Sequence, residues 1–157
     1  MVELLNAVFA AVVQSVKGEG GWVNKFEGDA ALCVFGAPVE QPDHADRALR
    51  AALALRDRLD ELAHRYRDLK VGIGVSSGLV VAGNVGAEER YEYTVIGAPV
   101  NEASRLTDEA KQRSAAILAS ASVVGRAHDA GAAWSAAGSV HLRGFAADTE
   151  VYEPRAT

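Results

Sequence analysis

The sequence has one cysteine, few aromatic residues, no excess of positive charge and no long apolar run. Because Cys33 is alone among 157 residues, an intramolecular disulfide is excluded. Lysine and arginine number 16 against 21 aspartates and glutamates, and the net charge of −5 argues against a broad basic surface for nucleic acid. No apolar run approaches the roughly 20 residues that span a bilayer, and no basic segment precedes an apolar stretch as in a secretory signal. We therefore expect no contact of this chain with nucleic acid or with membrane.

The overall composition of the chain is that of one ordinary globular domain. Apolar residues make up 49% of the chain and charged residues 24%, which excludes a disordered or fibrous protein. A chain of 157 residues can bury a sizeable core without disulfides. A reducing compartment suits the single cysteine, so we expect a cytoplasmic domain, and the sequence leaves open whether a parent protein is anchored in a membrane.

The first third of the chain predicts a helix followed by a β-hairpin. Glycines after residue 17 end a helical apolar pattern, whose members are Leu5, Phe9, Val12, Val13 and Val16. Two apolar runs, 22–26 and 30–35, then flank Glu27-Gly28 and read as a hairpin. A two-residue turn there would pair Phe26 with Asp29 and Lys25 with Ala30, which would place Lys25 and Asp29 on opposite faces. The second run is apolar throughout and predicts a strand buried on both faces.

The remaining pattern alternates helices and strands. A long amphipathic helix is predicted over 43–67, with Asp46 and Arg50 as an exposed pair one turn apart. The later elements are one or two strands in 70–81, a projecting loop or hairpin arm in 83–92, a strand at 93–96, a helix at 100–111, a strand at 117–119, a short helix at 122–128 and a terminal hairpin. The order α-ββ-α-ββ-α-β-α-ββ predicts an α+β fold, an α/β sandwich on a mixed or antiparallel sheet.

Two segments carry residues suited to chemistry. At 25–29 the chain reads KFEGD, and a carboxylate beside a glycine turn can hold Mg²⁺, although Glu-Gly and Gly-Asp are also common turn pairs. At 93–106 it reads YTVIGAPVNEASRL, where Asn101 and Arg105 share one helix face after a Gly-Pro break and could clamp a ribose and a polyphosphate. The alternative is that Asn101 bonds locally and Arg105 pairs with Glu109.

Together with VGIGVSSGLVVAGNVG at 71–86, these segments resemble the nucleotide cyclase homology domain of the class III adenylate and guanylate cyclases. Their sequence most resembles that of actinobacterial members. The resemblance covers essentially the whole chain. It implies a ferredoxin-like fold derived from βαββαβ. The family domain begins with a strand that carries a metal-binding aspartate, and this strand is absent here. We therefore expect residues 1–157 to be one N-terminally truncated cyclase catalytic domain.

The resemblance also implies a role for each matched residue. Lys25 reads the adenine ring, where guanylate cyclases carry glutamate, and Thr94 assists it. Asp29 holds metal, with two Mg²⁺ or Mn²⁺ ions in each intact site. Asn101 orients the ribose, and Arg105 stabilises charge on the phosphates in the transition state. The implied reaction converts ATP to 3′,5′-cyclic AMP and pyrophosphate at the interface of a homodimer, for cyclic nucleotide signalling.

Two alternatives to an active cyclase stay open. Asp29 lacks its expected metal-binding partner, so we expect this chain by itself to have little activity. A non-catalytic, cyclase-like module for nucleotide binding, dimerisation or regulation is the first alternative. A general ferredoxin-like interaction domain is the second, and it would require all the matched positions to be coincidence.

Overall fold

The computed structural model describes residues 2–27, 30–87 and 90–156. Within them the α-helices are α1 (Val2–Gly18), α2 (His44–Arg65), α3 (Ala98–Ala110) and α4 (Ala121–Arg126), with a 3-10 helix at Asp129–Ala133. The strands are β1 (Trp22–Glu27), β2 (Ala30–Val34), β3 (Ile73–Val75), β4 (Val81–Ala87), β5 (Arg90–Ile96), β6 (Ile117–Ser120), β7 (Trp134–Val140) and β8 (Thr149–Pro154). No helix in these ranges combines the length and the apolarity needed to cross a membrane.

A four-stranded sheet in the order β3-β6-β8-β7 forms the centre of the domain. Strands β3 and β6 run parallel, whereas β8 is antiparallel to both β6 and β7. A parallel pair needs a crossover connection, and here the chain between β3 and β6 contains the β4–β5 hairpin and α3. The mixed sheet confirms the predicted α+β fold.

Helices cover both faces of this sheet. Along β6 the side chains alternate, so that Ile117 and Ala119 join a core with Leu49 of α2, while Leu118 joins a core with Leu106 of α3. Helix α1 packs on α2 through a separate apolar cluster, whose buried members are Val8, Ala11, Val12, Val16, Leu55 and Leu59. Burial of β6 at all four positions explains why its short sequence is entirely small or apolar.

Two hairpins, β1–β2 and β4–β5, form sheets of their own. In the β4–β5 hairpin, pairing runs from Val81 opposite Ile96 to Ala87 opposite Arg90. The hairpin-arm prediction for this region is therefore confirmed. Strand β5 begins three residues earlier than expected, because its polar half also pairs with β4.

The expectation that the second hairpin strand is buried on both faces is wrong. In β2 only Val34 is fully buried, and Ala30 is exposed. The reason is that β2 lies in a two-stranded hairpin outside the central sheet, whereas the doubly covered strand is β6. Cys33 is partly covered, and its burial raises the pKa of the thiol to about 11, so the thiol stays protonated at neutral pH.

The predicted exposed pair of Asp46 and Arg50 is also wrong. Asp46 is only 5% exposed, and its Oδ1 accepts the backbone N–H groups of His128 at 2.9 Å and Ala130 at 3.0 Å. These N–H groups lie at the start of the 3-10 helix, where helical geometry offers no internal acceptor. Arg50 instead bonds Glu19 at 2.8 Å.

Candidate active site

Helix α3 begins at a glycine-proline break directly after β5. Gly97 has a φ of +149°, and a Cβ there would lie 3.1 Å from the carbonyl oxygen of Leu79, so a side chain would crowd the neighbouring segment. Pro99 occupies the first helical turn, where its missing N–H leaves nothing unsatisfied. The local sequence therefore sets where the first turns of α3 begin.

Asn101 and Arg105 lie one turn apart on these first turns, as predicted. Across residues 2–27, 30–87 and 90–156, neither side chain has a hydrogen bond or an ion pair. Glu109, the alternative partner of Arg105, has its Oε1 3.9 Å from Nε of Arg113. The local ion pair weighed for Arg105 is therefore wrong for the described structure, and its guanidinium donors are available to a ligand.

Strand β1 contacts β5 beside the two predicted base-reading residues. Nδ2 of Asn24 donates to the carbonyl oxygen of Tyr93 at 2.9 Å, and the rings of Trp22 and Tyr93 meet edge-on with centroids 5.7 Å apart. Lys25 and Thr94 are the next residues along the two strands. The contact therefore brings the positions of Lys25 and Thr94 together, although they are far apart in sequence.

The register of the first hairpin differs from the prediction. Glu27 pairs with Ala30, and Lys25 pairs with Leu32 rather than with Ala30. The predicted pairing of Phe26 with Asp29 is wrong, since Phe26 pairs with Ala31. The register moves by two residues, which preserves the alternation of faces, and Asp29 lies outside the described residues, so the placement of Lys25 and Asp29 on opposite faces stays a prediction.

A bulge between Val23 and Lys25 explains how Asn24 reaches β5. Asn24 is the extra residue on β1, without a Cα partner on β2. Bulges re-aim a side chain and are frequent beside functional sites. Sequence reasoning missed Asn24, because an amide in an apolar strand gives no sign that it bonds a strand 69 residues away.

Asp29, the predicted metal ligand, lies outside the described residues. Among the residues that are described, no group of three or more His, Cys, Asp or Glu side chains could hold a metal ion. Mg²⁺ commonly binds one or two carboxylates together with substrate phosphates and water. A single aspartate carboxylate can therefore bind an ion that is also coordinated by the phosphates of the substrate. One aspartate does not by itself provide a complete set of protein ligands for the ion.

The Asn24 bond gives a testable prediction. We expect Asn24→Ala to raise the KM for the nucleotide about 5-fold, which corresponds to about 1 kcal/mol, because the lost bond loosens β1 against β5. Steady-state kinetics of the full-length protein measure this. Asn84→Ala is the matched control, since Asn84 is exposed and pairs with Tyr93 only through the β4–β5 ladder. Equal KM values for the two variants would contradict the prediction.

Comparison with known proteins identifies the family. A family model described as the adenylate and guanylate cyclase catalytic domain matches residues 1–153. The chain belongs to this family. Its members are lyases that make cyclic nucleotides, and the general interaction-domain alternative is thereby overturned. Cyclases of this family use divalent metal ions, and its adenylate and guanylate branches differ in substrate.

Relatives and solved structures of the cyclase family extend the match. An uncharacterized protein of Mycobacterium tuberculosis is 50% identical over 155 residues, which are 98% of this chain and 28% of that protein. The chain thus spans little more than a quarter of that relative. A bacterial light-regulated adenylyl cyclase aligns with a TM-score of 0.83 at 27% identity, over 98% of this chain and 43% of its own. The guanylyl cyclase Cya2 aligns with a TM-score of 0.75 at 31% identity, over 98% and 79%.

Proposed function

We propose that this cyclase domain converts ATP to 3′,5′-cyclic AMP and pyrophosphate at a site shared by two copies of the domain. The observation that carries the proposal is the contact of β1 with β5, which brings the positions of Lys25 and Thr94 together. A cationic donor suits the ring-nitrogen acceptor of adenine, and a threonine hydroxyl can donate or accept. Guanine presents N–H donors at the same edge, and these favour a carboxylate.

The reaction needs positioning and charge stabilisation more than covalent catalysis. The ribose 3′-oxygen forms a bond to the α-phosphorus, the bond from that phosphorus to the β-phosphate oxygen breaks, and the 3′-hydroxyl proton passes to water. Asn101 holds the ribose in line for this attack. Arg105 donates to phosphate oxygens, whose charge grows as the bond forms, through its rigid fork of N–H groups.

Metal ions complete the proposed site. Asp29 would hold Mg²⁺ or Mn²⁺, two per intact site, and the ions would neutralise charge on the phosphates and favour the deprotonated 3′-oxygen. A second carboxylate is required, and we propose that a strand preceding α1 in a longer parent protein supplies it.

A second copy of the domain is the proposed partner. Three exposed apolar side chains cluster around the base of the β4–β5 hairpin: Leu79 is 92% exposed, Val81 66% and Ile96 53%. Val81 and Ile96 are direct cross-strand partners, so they form one apolar surface. A homodimer would cover it. In that dimer, Asp29 of one copy faces the other copy's Lys25, Thr94, Asn101 and Arg105.

A non-catalytic, cyclase-like regulatory domain is the second candidate. It would bind nucleotide at the same positions without catalysing its cyclisation. Turnover separates the candidates. We expect the full-length protein to produce cyclic AMP from ATP with Mg²⁺ or Mn²⁺ and to use GTP poorly, whereas residues 1–157 alone have little activity. Nucleotide binding by the full-length protein without turnover of ATP or GTP would favour the regulatory domain instead.

A further inference from the structure

Three helices meet where Ser76 and Ser77 follow β3. Oγ of Ser76 donates to Oε1 of Glu102 on α3 at 2.5 Å. Oγ of Ser77 lies 2.7 Å from Nε2 of His44 on α2. The N–H of Ser77 donates to Oγ of Ser122 on α4 at 3.2 Å. We call this group of five residues the serine junction.

Glu102 is the residue through which α3 joins the serine junction. Besides the bond from Ser76, its Oε1 accepts a second bond from the hydroxyl of Ser122 at 3.3 Å. The hydroxyl of Ser122 also bonds that of Ser120 at the end of β6. One carboxylate oxygen therefore ties the start of α3 both to the segment after β3 and to the start of α4.

Glycine backbone of this segment also lies directly against α3. Positions 72, 74, 76 and 78 alternate along the chain, and three of them are glycines. A Cβ at Gly74 would lie 2.4 Å from the carbonyl oxygen of Ala103, and one at Gly78 would lie 2.7 Å from Cγ of Pro99. This glycine-rich face lets α3 approach closely, but it offers few side chains that pack between those of the helix.

The packed core secures the other half of α3. Its fully buried residues, Leu106 and Ala110, both lie in the second half of the helix. Among the described residues, Glu102 is the side chain in its first two turns that bonds other elements. Glu102 therefore supplies the side-chain hydrogen bonds that hold those first turns against other elements.

Glu102 stands directly beside the proposed catalytic pair. At about 100° per residue, Asn101 and Arg105 project about 100° and 60° away from Glu102, on the same side of the helix. A rotation of the first turns would therefore move both groups together. Neither group has a partner among the described residues that would restore its direction.

We propose that Glu102 is a positioning residue for the cyclase reaction, which holds Asn101 and Arg105 in their reactive directions through its bonds to Ser76 and Ser122. The inference rests on the proposed function of that pair. Misplacement of a reacting or stabilising group by about 1 Å can cost about 100-fold in rate. The base-reading positions on β1 and β5 are not linked to the junction through these bonds, so nucleotide binding should change little.

The test measures kcat and KM for ATP in the full-length protein. Glu102→Ala should lower kcat about 30-fold and change KM less than about 3-fold. Glu102→Gln keeps an oxygen acceptor for both hydroxyls and should stay within about 3-fold of wild type in kcat. Glu109→Ala is the matched control, because it removes a glutamate from the same helix that pairs only with Arg113 in the described structure. Thermal unfolding of each variant reports whether it folds.

A combined variant distinguishes positioning from general destabilisation. If Glu102 acts through Asn101 and Arg105, then Glu102→Ala added to the double variant Asn101→Ala/Arg105→Ala should lower kcat less than about 3-fold further. Multiplying losses would overturn the inference, as would equal losses of kcat in Glu102→Gln and Glu102→Ala. Should Glu102→Ala not fold, Ser76→Ala replaces it in the test. We expect Ser76→Ala to lower kcat about 5-fold at unchanged KM. An unchanged kcat in Ser76→Ala would overturn the inference. If Arg105→Ala itself leaves kcat unchanged, the proposed function fails instead.

Discussion

Replacing Arg105 with alanine is expected to lower kcat for ATP cyclisation about 100- to 1000-fold, while KM changes less than about 5-fold. Negative charge on the phosphates grows as the 3′-oxygen attacks. The guanidinium therefore stabilises the transition state more than bound ATP. Its lack of a partner among the described residues means that no internal ion pair has to break when the nucleotide binds.

Steady-state kinetics of the full-length protein decide the role of Arg105. Arg65→Ala is the matched control, because Arg65 is an exposed arginine at the end of α2, remote from α3 in sequence. We expect it to match wild type in both constants. A rise in KM for Arg105→Ala with unchanged kcat would mean that the arginine only binds the ground state.

Lys25→Glu is expected to lower kcat/KM for ATP about 100-fold and to raise the ratio of GTP to ATP use at least about 10-fold. The substitution replaces a cationic donor by an acceptor, which suits the N–H donors of guanine and repels the ring nitrogen of adenine. Full conversion is expected only when Thr94 is changed as well, since Thr94 lies beside the same contact between β1 and β5.

Competition between ATP and GTP in one reaction measures this preference directly. Lys70→Glu provides the control, because Lys70 is exposed before β3 and the charge change is the same. It should leave the preference unchanged. If the wild-type protein cyclises GTP as well as ATP with Lys25 in place, the assignment of adenine recognition to Lys25 is wrong.

The elements that depend on local pattern were predictable from the sequence. Helices α1 and α2 have apolar residues at helical spacing, and the first hairpin is marked by Glu27-Gly28 between two apolar runs. The common helix face of Asn101 and Arg105 follows from spacing alone, and the break at Gly97 fixes where that helix starts. For these features, neighbouring residues contain nearly all the information.

The features that escaped prediction depend on residues distant in sequence. The bulge at Asn24 serves a bond to β5, and Asp46 is buried because a helix 82 residues later needs an acceptor. The bond from Ser76 to Glu102 also joins residues distant in sequence. One feature of the sequence did indicate the contact between the β3 segment and α3. The glycines at positions 72, 74 and 78 point to one face of a strand, and glycines on one face indicate that another backbone packs closely against it.

A defined mixed dimer tests the shared site most directly. Full-length Asp29→Ala and Arg105→Ala chains with two different tags can be co-expressed and purified as the heterodimer. Each variant homodimer is expected to be nearly inactive. In the heterodimer one of the two symmetric sites keeps both residues, so cyclic AMP production from ATP should recover to about half the wild-type rate. A heterodimer as inactive as the two homodimers would contradict a site built from Asp29 of one copy and Arg105 of the other.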